Sequence, residues 1–328
     1  AGVPAERIVF SGVGKTRAEL AAGLEAGVLQ FNVESEGELA ALAEVARSRG
    51  SMASVAIRVN PNIDAASHDK ITTGRRHDKF GITWDHARRV YSEAAKMPSI
   101  RVTGLAVHIG SQIESLKPFA RAFRAVAELA AVLKGDGHDI VNLDLGGGLG
   151  IRYGNESPPT PKEYANVAIR ETAGTGCRLL LEPGRVLVGP AGILVTEVLY
   201  EKAADGQRVV VVDAAMNDLM RPAMYGAQHE IVAVTPVIGA ADSPADVVGP
   251  VCESSDRFTR DRPLPPVVPG DLLAIETAGA YGAVMASSYN SRLLVPEVLV
   301  NKHELAVIRP RPEYEDLISA DVPAPWLA

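Results

Sequence analysis

Ile140-Val141-Asn142-Leu143-Asp144-Leu145-Gly146-Gly147-Gly148-Leu149-Gly150 reads as a short, mostly apolar strand that breaks directly into glycine. The stretches around it follow the same plan. Apolar runs suited to strands occur at residues 8–10, 29–33, 54–60, 102–108, 140–145 and 178–181. Ala-rich patterns of helical period fall between them, at 16–26, 35–49, 84–96, 116–133 and 161–172. Within the fourth, the apolar positions of Pro118-Phe119-Ala120-Arg121-Ala122-Phe123-Arg124-Ala125-Val126-Ala127 mark one buried helical face. Alternation at this pitch predicts right-handed βαβ units and a parallel sheet. Strands that end in polar or Gly-rich loops suit a (β/α) barrel, whose chemistry sits at the C-terminal ends of its strands. Six such strands are two short of a closed barrel.

The pattern changes near residue 190. Strand-like runs at 193–200, 208–212, 231–235, 245–248 and 272–275 are punctuated by Pro and Gly, without long helical periods. The expected organisation is therefore a barrel over 1–189 and a mostly antiparallel β domain over 190–328. Arg262-Pro263-Leu264-Pro265-Pro266 reads as a rigid surface loop.

Composition narrows the function. The 328 residues carry a formal charge of −7, and the basic residues are not clustered. Nucleic acid and anionic membranes are poor partners for such a surface. No apolar run approaches the roughly 18 residues of a membrane span. The two cysteines supply neither a disulfide framework nor metal-ligand spacing, so no metal is expected and a reducing cytoplasm is the natural setting.

Several strand ends carry chemistry. Ser11-Gly12-Val13-Gly14-Lys15-Thr16 lacks the upstream glycine of a nucleotide-binding P-loop, because Val9 stands there. A capping role for Ser or Thr is the better reading. Gly146-Gly147-Gly148 misses the dinucleotide fingerprint, since Ile151 stands where glycine is required. It serves either as a tight turn or as a backbone cradle for a phosphate. Glu182-Pro183-Gly184-Arg185 places two charges after a buried strand, either as an ion pair or as groups awaiting a ligand. His108, with Ser111 close behind, ends another strand on the same rim. In the second half, Arg221 and Tyr225 share a face if their segment turns helically. Cys252 lies beside Glu253, and a thiol next to an anion is a poor thiolate but a serviceable proton donor. Taken alone, Cys252 also suits a small buried filler.

In order along the chain, Phe31-Asn32-Val33-Glu34-Ser35, Arg58-Val59-Asn60-Pro61, His108-Ile109-Gly110-Ser111-Gln112, Gly146-Gly147-Gly148, Glu182-Pro183-Gly184-Arg185, Cys252-Glu253-Ser254 and Gly279-Ala280-Tyr281-Gly282 resemble the diaminopimelate decarboxylases. These are pyridoxal-phosphate enzymes with an alanine-racemase-like fold, and the likeness spans nearly the whole chain. The resemblance implies an α/β barrel that binds pyridoxal 5'-phosphate, plus a C-terminal β domain. It implies His108 against the pyridine ring and Glu182 at the ring nitrogen. Ser111, Gly146, Gly147, Gly148, Pro183, Gly184, Arg185 and Tyr281 would surround the phosphate. Arg185, Arg221, Tyr225, Glu253 and Tyr281 would read the distal end of meso-diaminopimelate. Cys252, reaching from the second subunit of a homodimer, would donate the proton that completes L-lysine. The same fold also serves decarboxylases of other basic amino acids or of carboxynorspermidine, and a non-catalytic regulatory homologue would share it too.

One feature departs from that pattern. Lys15, Lys70, Lys79, Lys96, Lys117, Lys134, Lys162, Lys202 and Lys302 all lie outside any Tyr-Ala-x-Lys-Ala-like segment, where the family keeps its cofactor lysine. With the count of six strands, this leads to the expectation that an upstream segment carries that lysine and that these 328 residues alone form no lysine.

Overall fold

The computed structural model describes residues 2–65, 73, 79–204, 206–235, 239 and 241–327; Lys70 lies outside the described residues. The chain divides into two compact units, Ala1–Arg152 with Glu156–Val186, and Tyr153–Asn155 with Leu187–Ala328.

The first unit is built on a parallel sheet. Its described strands are β1 (Val9–Phe10), β2 (Gln30–Val33), β3 (Ala53–Asn60), β4 (Ile82–Thr83), β5 (Ile100–Ala106), β6 (Asn142–Asp144) and β7 (Arg178–Leu180). They run in the order β1-β2-β3-β5-β6-β7, with β4 paired to the end of β3, and every pair is parallel. The sheet is the expected α/β barrel wall, and among the described residues β1 and β7 are its two ends. Strand β4 escapes sequence reading because two residues carry no measurable period.

Among the described residues, five helices connect the strands: α1 (Arg17–Ala26), α2 (Glu36–Ser48), α3 (Ala87–Ala94), α4 (Leu116–Gly135) and α5 (Pro161–Glu171). Their starts are written in the sequence. Thr16 accepts a hydrogen bond from the Glu19 amide while the Glu19 carboxylate takes the Thr16 N–H, a reciprocal capping box. Thr160 and Glu163 repeat the device ahead of α5, with Pro161 in the first turn. Helix α4 buries Phe119, Ala122, Phe123, Val126, Leu129, Ala130 and Leu133, as its apolar period requires. Lys15 is consumed structurally. Its Nζ donates to Glu38 Oε1 at 2.5 Å, Gly12 O at 2.7 Å and Asn32 O at 2.9 Å, so it does not serve as a phosphate-binding lysine.

The second unit is mostly antiparallel. Strands β8 (Leu194–Ala204), β9 (Gln207–Val212), β10 (Ile231–Ala233), β11 (Ser243–Val248), β12 (Arg257–Leu264) and β13 (Leu272–Ile275) form one sheet in the order β10-β13-β8-β9-β11-β12. Among the described strands of this sheet, only β9 and β11 pair in parallel. Val198, Val210, Val212, Val247, Leu273 and Ile275 make its core. The Pro-rich segment corrects the sequence reading. Arg262, Pro263 and Leu264 close β12 and pair with Ala245, Pro244 and Ser243, and Leu264 is fully buried. Strand β12 is an edge, which is where a sheet tolerates proline's missing N–H. A separate hairpin, β14 (Glu297–Asn301) and β15 (Glu304–Arg309), was also not anticipated. Among the described residues, no helix is long and apolar enough to cross a membrane, and no cluster of His, Cys, Asp and Glu could hold a metal.

Candidate active site

In the first unit the strand ends enclose a cavity of about 310 Å³ lined by Ser11, Asn32, Arg58, Thr73, Phe80, Ala106, Val107, His108 and Glu182. Each lining side chain follows from strand or loop position. Asn32 points in from β2, Arg58 from β3 and His108 from just beyond β5, while Glu182 follows β7 by two residues.

Carboxylates dominate one side. Asn32 Nδ2 donates to Asp144 Oδ2 at 2.7 Å and to Glu182 Oε1 at 3.0 Å, and Ser11 Oγ donates to the same Glu182 oxygen at 2.9 Å. Asp144 is fully buried, and its other oxygen takes the Gly146 N–H at 3.0 Å. Two carboxyl groups in so small a volume resist ionising together. Burial, then the charge of Asp144, pushes the Glu182 carboxyl up to about 7.

A neutral histidine lines the same cavity. The Gly147 N–H donates to His108 Nδ1 at 3.1 Å, so the proton of the ring sits on Nε2. Burial, reinforced by the Arg58 guanidinium, lowers the His108 pKa to about 4. Arg58 is itself tied to Glu34 Oε1 at 2.6 Å and packs against the Phe80 ring at 5.0 Å. The cavity therefore offers both a flat, uncharged imidazole and an acidic edge.

The glycine cluster is required by packing. Gly146 and Gly148 adopt φ of +67° and +101°. A Cβ at Gly147 would collide with the Glu182 carbonyl oxygen, and one at Gly148 with the Gly110 carbonyl oxygen. The turn can thus lie flat against both neighbouring strand ends. Beside it, Arg185 is buried and donates from Nη2 to Ser111 Oγ at 3.1 Å. Gly147→Ala is expected to cost about 1–3 kcal/mol of stability and to weaken pyridoxal-phosphate binding about tenfold or more. Thermal unfolding and a cofactor titration measure the two effects.

Together these groups fit pyridoxal phosphate. A protonated pyridine nitrogen answers the surplus of carboxyl groups at Glu182, a neutral His108 suits the ring face, and Arg185 with Ser111 and the glycine turn suits an anion. Among the described residues lining the cavity there is no lysine.

The second unit holds the remaining sequence-predicted residues. Arg221 and Tyr225 lie on one short helix, Arg221–Tyr225, so the condition on which their shared face depended is met. Arg221 is buried, donates from Nη1 to His229 Nε2 at 2.7 Å and stacks over the Tyr153 ring at 4.1 Å. Cys252 is exposed, which corrects the reading of a buried filler. Its loop is anchored from below by buried Asp256, which accepts the Val251 amide at 2.7 Å and the Met216 amide at 2.6 Å. Glu253 accepts from Ser255 Oγ and from the Tyr289 hydroxyl at 2.8 Å, and these bonds hold its carboxyl below the ordinary range. Tyr281 adopts φ of +57° and is partly exposed.

Sequence reading passed over Asn32, Asp144 and Arg58 as chemical groups. The available signal was polar residues two apart in otherwise apolar strands, Gln30-x-Asn32 and Asn142-x-Asp144, which puts them on one inward face.

Comparison with known proteins gives this arrangement its class. The family described as pyridoxal-dependent decarboxylase, pyridoxal binding domain, matches residues 1–189. A diaminopimelate decarboxylase of Zymomonas mobilis is 49% identical over 329 residues, covering 100% of this chain and 78% of the relative. A Helicobacter pylori diaminopimelate decarboxylase complexed with L-lysine superposes with a TM-score of 0.94 at 43% identity, covering 97% of this chain and 79% of that one. The M. jannaschii enzyme in co-complex with L-lysine gives 0.94 at 40% identity, covering 99% and 76%. The fold and the matched domain are those of a pyridoxal-phosphate-dependent carboxy-lyase. Within that class, the chain belongs to the diaminopimelate decarboxylase family.

Proposed function

We propose that the holoenzyme removes one carboxylate of meso-2,6-diaminopimelate to give L-lysine and carbon dioxide, the last step of lysine biosynthesis, as a cytoplasmic homodimer with shared active sites. The observation that carries the reading is the Asp144–Glu182 pair on one Asn32 amide, an acidic edge that calls for a cationic N–H. When bound, pyridoxal phosphate supplies the electron sink that makes loss of the carboxylate possible. Glu182 would hold the ring nitrogen protonated, His108 would lie against the ring face, and Ser111, Gly146, Gly147, Gly148, Pro183, Gly184, Arg185 and Tyr281 would take the phosphate.

The distal end of the substrate decides specificity, because decarboxylation itself discriminates little among amino acids. Arg185 and Arg221 face its carboxylate with Tyr225 and Tyr281 alongside, and Glu253 faces its ammonium. A site built to pair these charges rejects substrates that lack them. Cys252 of a second copy delivers a proton to the carbon that has lost its carboxylate.

Turnover of meso-diaminopimelate, ornithine, arginine and carboxynorspermidine tests the assignment. Diaminopimelate is expected to have the highest kcat/KM. Glu253→Ala should lower it about tenfold to a hundredfold, the worth of one charge-assisted hydrogen bond, with smaller losses for the others. Preference for ornithine or arginine, or an equal loss for all four, would reject it.

A further inference from the structure

A second polar feature runs through the barrel interior. Gln30 and Asn32 lie on β2, Asn142 and Asp144 on β6 and Arg178 at the start of β7. Their side chains bond in an unbroken line. Arg178 Nε donates to Asn142 Oδ1 at 3.1 Å, Asn142 Nδ2 to Gln30 Oε1 at 3.0 Å, and Gln30 Nε2 to Asn32 Oδ1 at 2.9 Å. Asn32 Nδ2 then meets Asp144 and Glu182. Gln30, Asn32 and Asn142 are at most 4% exposed, so three primary amides occupy space that apolar side chains fill more cheaply.

An amide can turn half a revolution with little change of shape, so any one link reads in either direction. The ends remove that freedom. Arginine only donates, and an ionised carboxylate only accepts. A line between the two has a single polarity, with every amide nitrogen directed away from Arg178 and towards Asp144 and Glu182.

We propose that Arg178, Asn142 and Gln30 are positioning residues, a one-way relay that holds the Asn32 amide nitrogen against the Asp144–Glu182 pair. The catalytic consequence rests on Glu182 serving the cofactor's ring nitrogen; the orientation itself belongs to the apoprotein. With Asn32 held this way, its N–H favours ionised Glu182, ready to receive a cationic donor. A reversed Asn32 would present its carbonyl dipole and favour the protonated acid.

Neutron diffraction from deuterated crystals of the apoprotein reads the three amides directly. All three nitrogens are expected to face the carboxylate end, and any one reversed overturns the relay. A second measurement follows the Glu182 carboxyl by 13C NMR in wild type, Arg178→Lys, Arg178→Met and Asn142→Asp, each checked for folding by thermal unfolding. Arg178→Met and Asn142→Asp change the charge at that end by the same amount in the same direction. Only Asn142→Asp also replaces a donor by an acceptor, which turns Gln30 and Asn32 around. The Glu182 midpoint should stay put in Arg178→Lys and rise in Asn142→Asp by about one unit or more beyond Arg178→Met. Equal shifts in Arg178→Met and Asn142→Asp leave charge alone as the cause and overturn the relay. The cofactor reading fails separately, if Glu182→Gln leaves the absorbance of the bound cofactor unchanged.

Discussion

Cys252→Ala holoenzyme will turn over meso-diaminopimelate about a hundredfold to ten-thousandfold more slowly than wild type, the range spanned by loss of one general acid. Cofactor affinity will stay the same, because the change removes a single exposed sulfur from a loop whose shape is set elsewhere. Asp256 organises that loop through the Val251 and Met216 amides, and Glu253 is tied to Ser255 and Tyr289. The donor should therefore be removable without disturbing its neighbours. Steady-state kinetics with a cofactor titration checks both halves. The shared-site reading adds a sharper result. Mixing inactive Cys252→Ala with inactive Glu182→Gln should recover about a quarter of wild-type activity after subunit exchange, since half the dimers are mixed and each has one intact site. No recovery would place donor and cofactor acid on the same subunit.

Glu182→Gln carries the other large effect. The glutamine keeps the shape but cannot hold a ring nitrogen in its protonated form, and kcat/KM should fall about a hundredfold or more. The same group sets a pH dependence in the apoprotein. Its carboxyl is raised in the folded protein to about 7 from an ordinary value of 4.5. Between those limits the folded state binds more protons than the unfolded chain, so Glu182 makes stability fall as pH rises through the window. Part of the residue is open to water, which tempers the size of the slope but not its sign. Denaturant titrations from pH 4 to 8 should show a shallower decline in Glu182→Gln. With the proposed pairing of Glu182 and the cofactor's protonated ring nitrogen, the stabilisation on binding should grow with pH over the same range. A variant with the wild-type slope would show that Glu182 is not the group that titrates beside Asp144.

Much of this architecture can be read from local patterns. Helix starts are explicit at Thr16–Glu19 and Thr160–Glu163, where a cap and its answering glutamate stand three apart. The apolar stripe of α4 announces its own face. What stayed hidden depends on distant partners. Arg262–Leu264 looks like a loop until Ser243–Ala245 arrives to pair with it. Cys252 looks like filler until Asp256 is seen drawing the backbone beneath it and leaving the thiol outside. The acidic edge is the clearest case. Asn32 on β2, Asp144 on β6 and Glu182 just beyond β7 lie up to 150 residues apart, and their shared hydrogen bonds exist only once those strands are brought into one sheet. Glycine told more. Three in a row at 146–148 mark a close approach that the Glu182 and Gly110 carbonyls later explain.

The most direct test of the whole account follows the fate of the substrate. Holoenzyme incubated in deuterated water with meso-2,6-diaminopimelate should release one carbon dioxide per molecule consumed and yield L-lysine with a single deuterium at the carbon that lost its carboxylate. Absence of carbon dioxide, or release without lysine carrying that label, would contradict it.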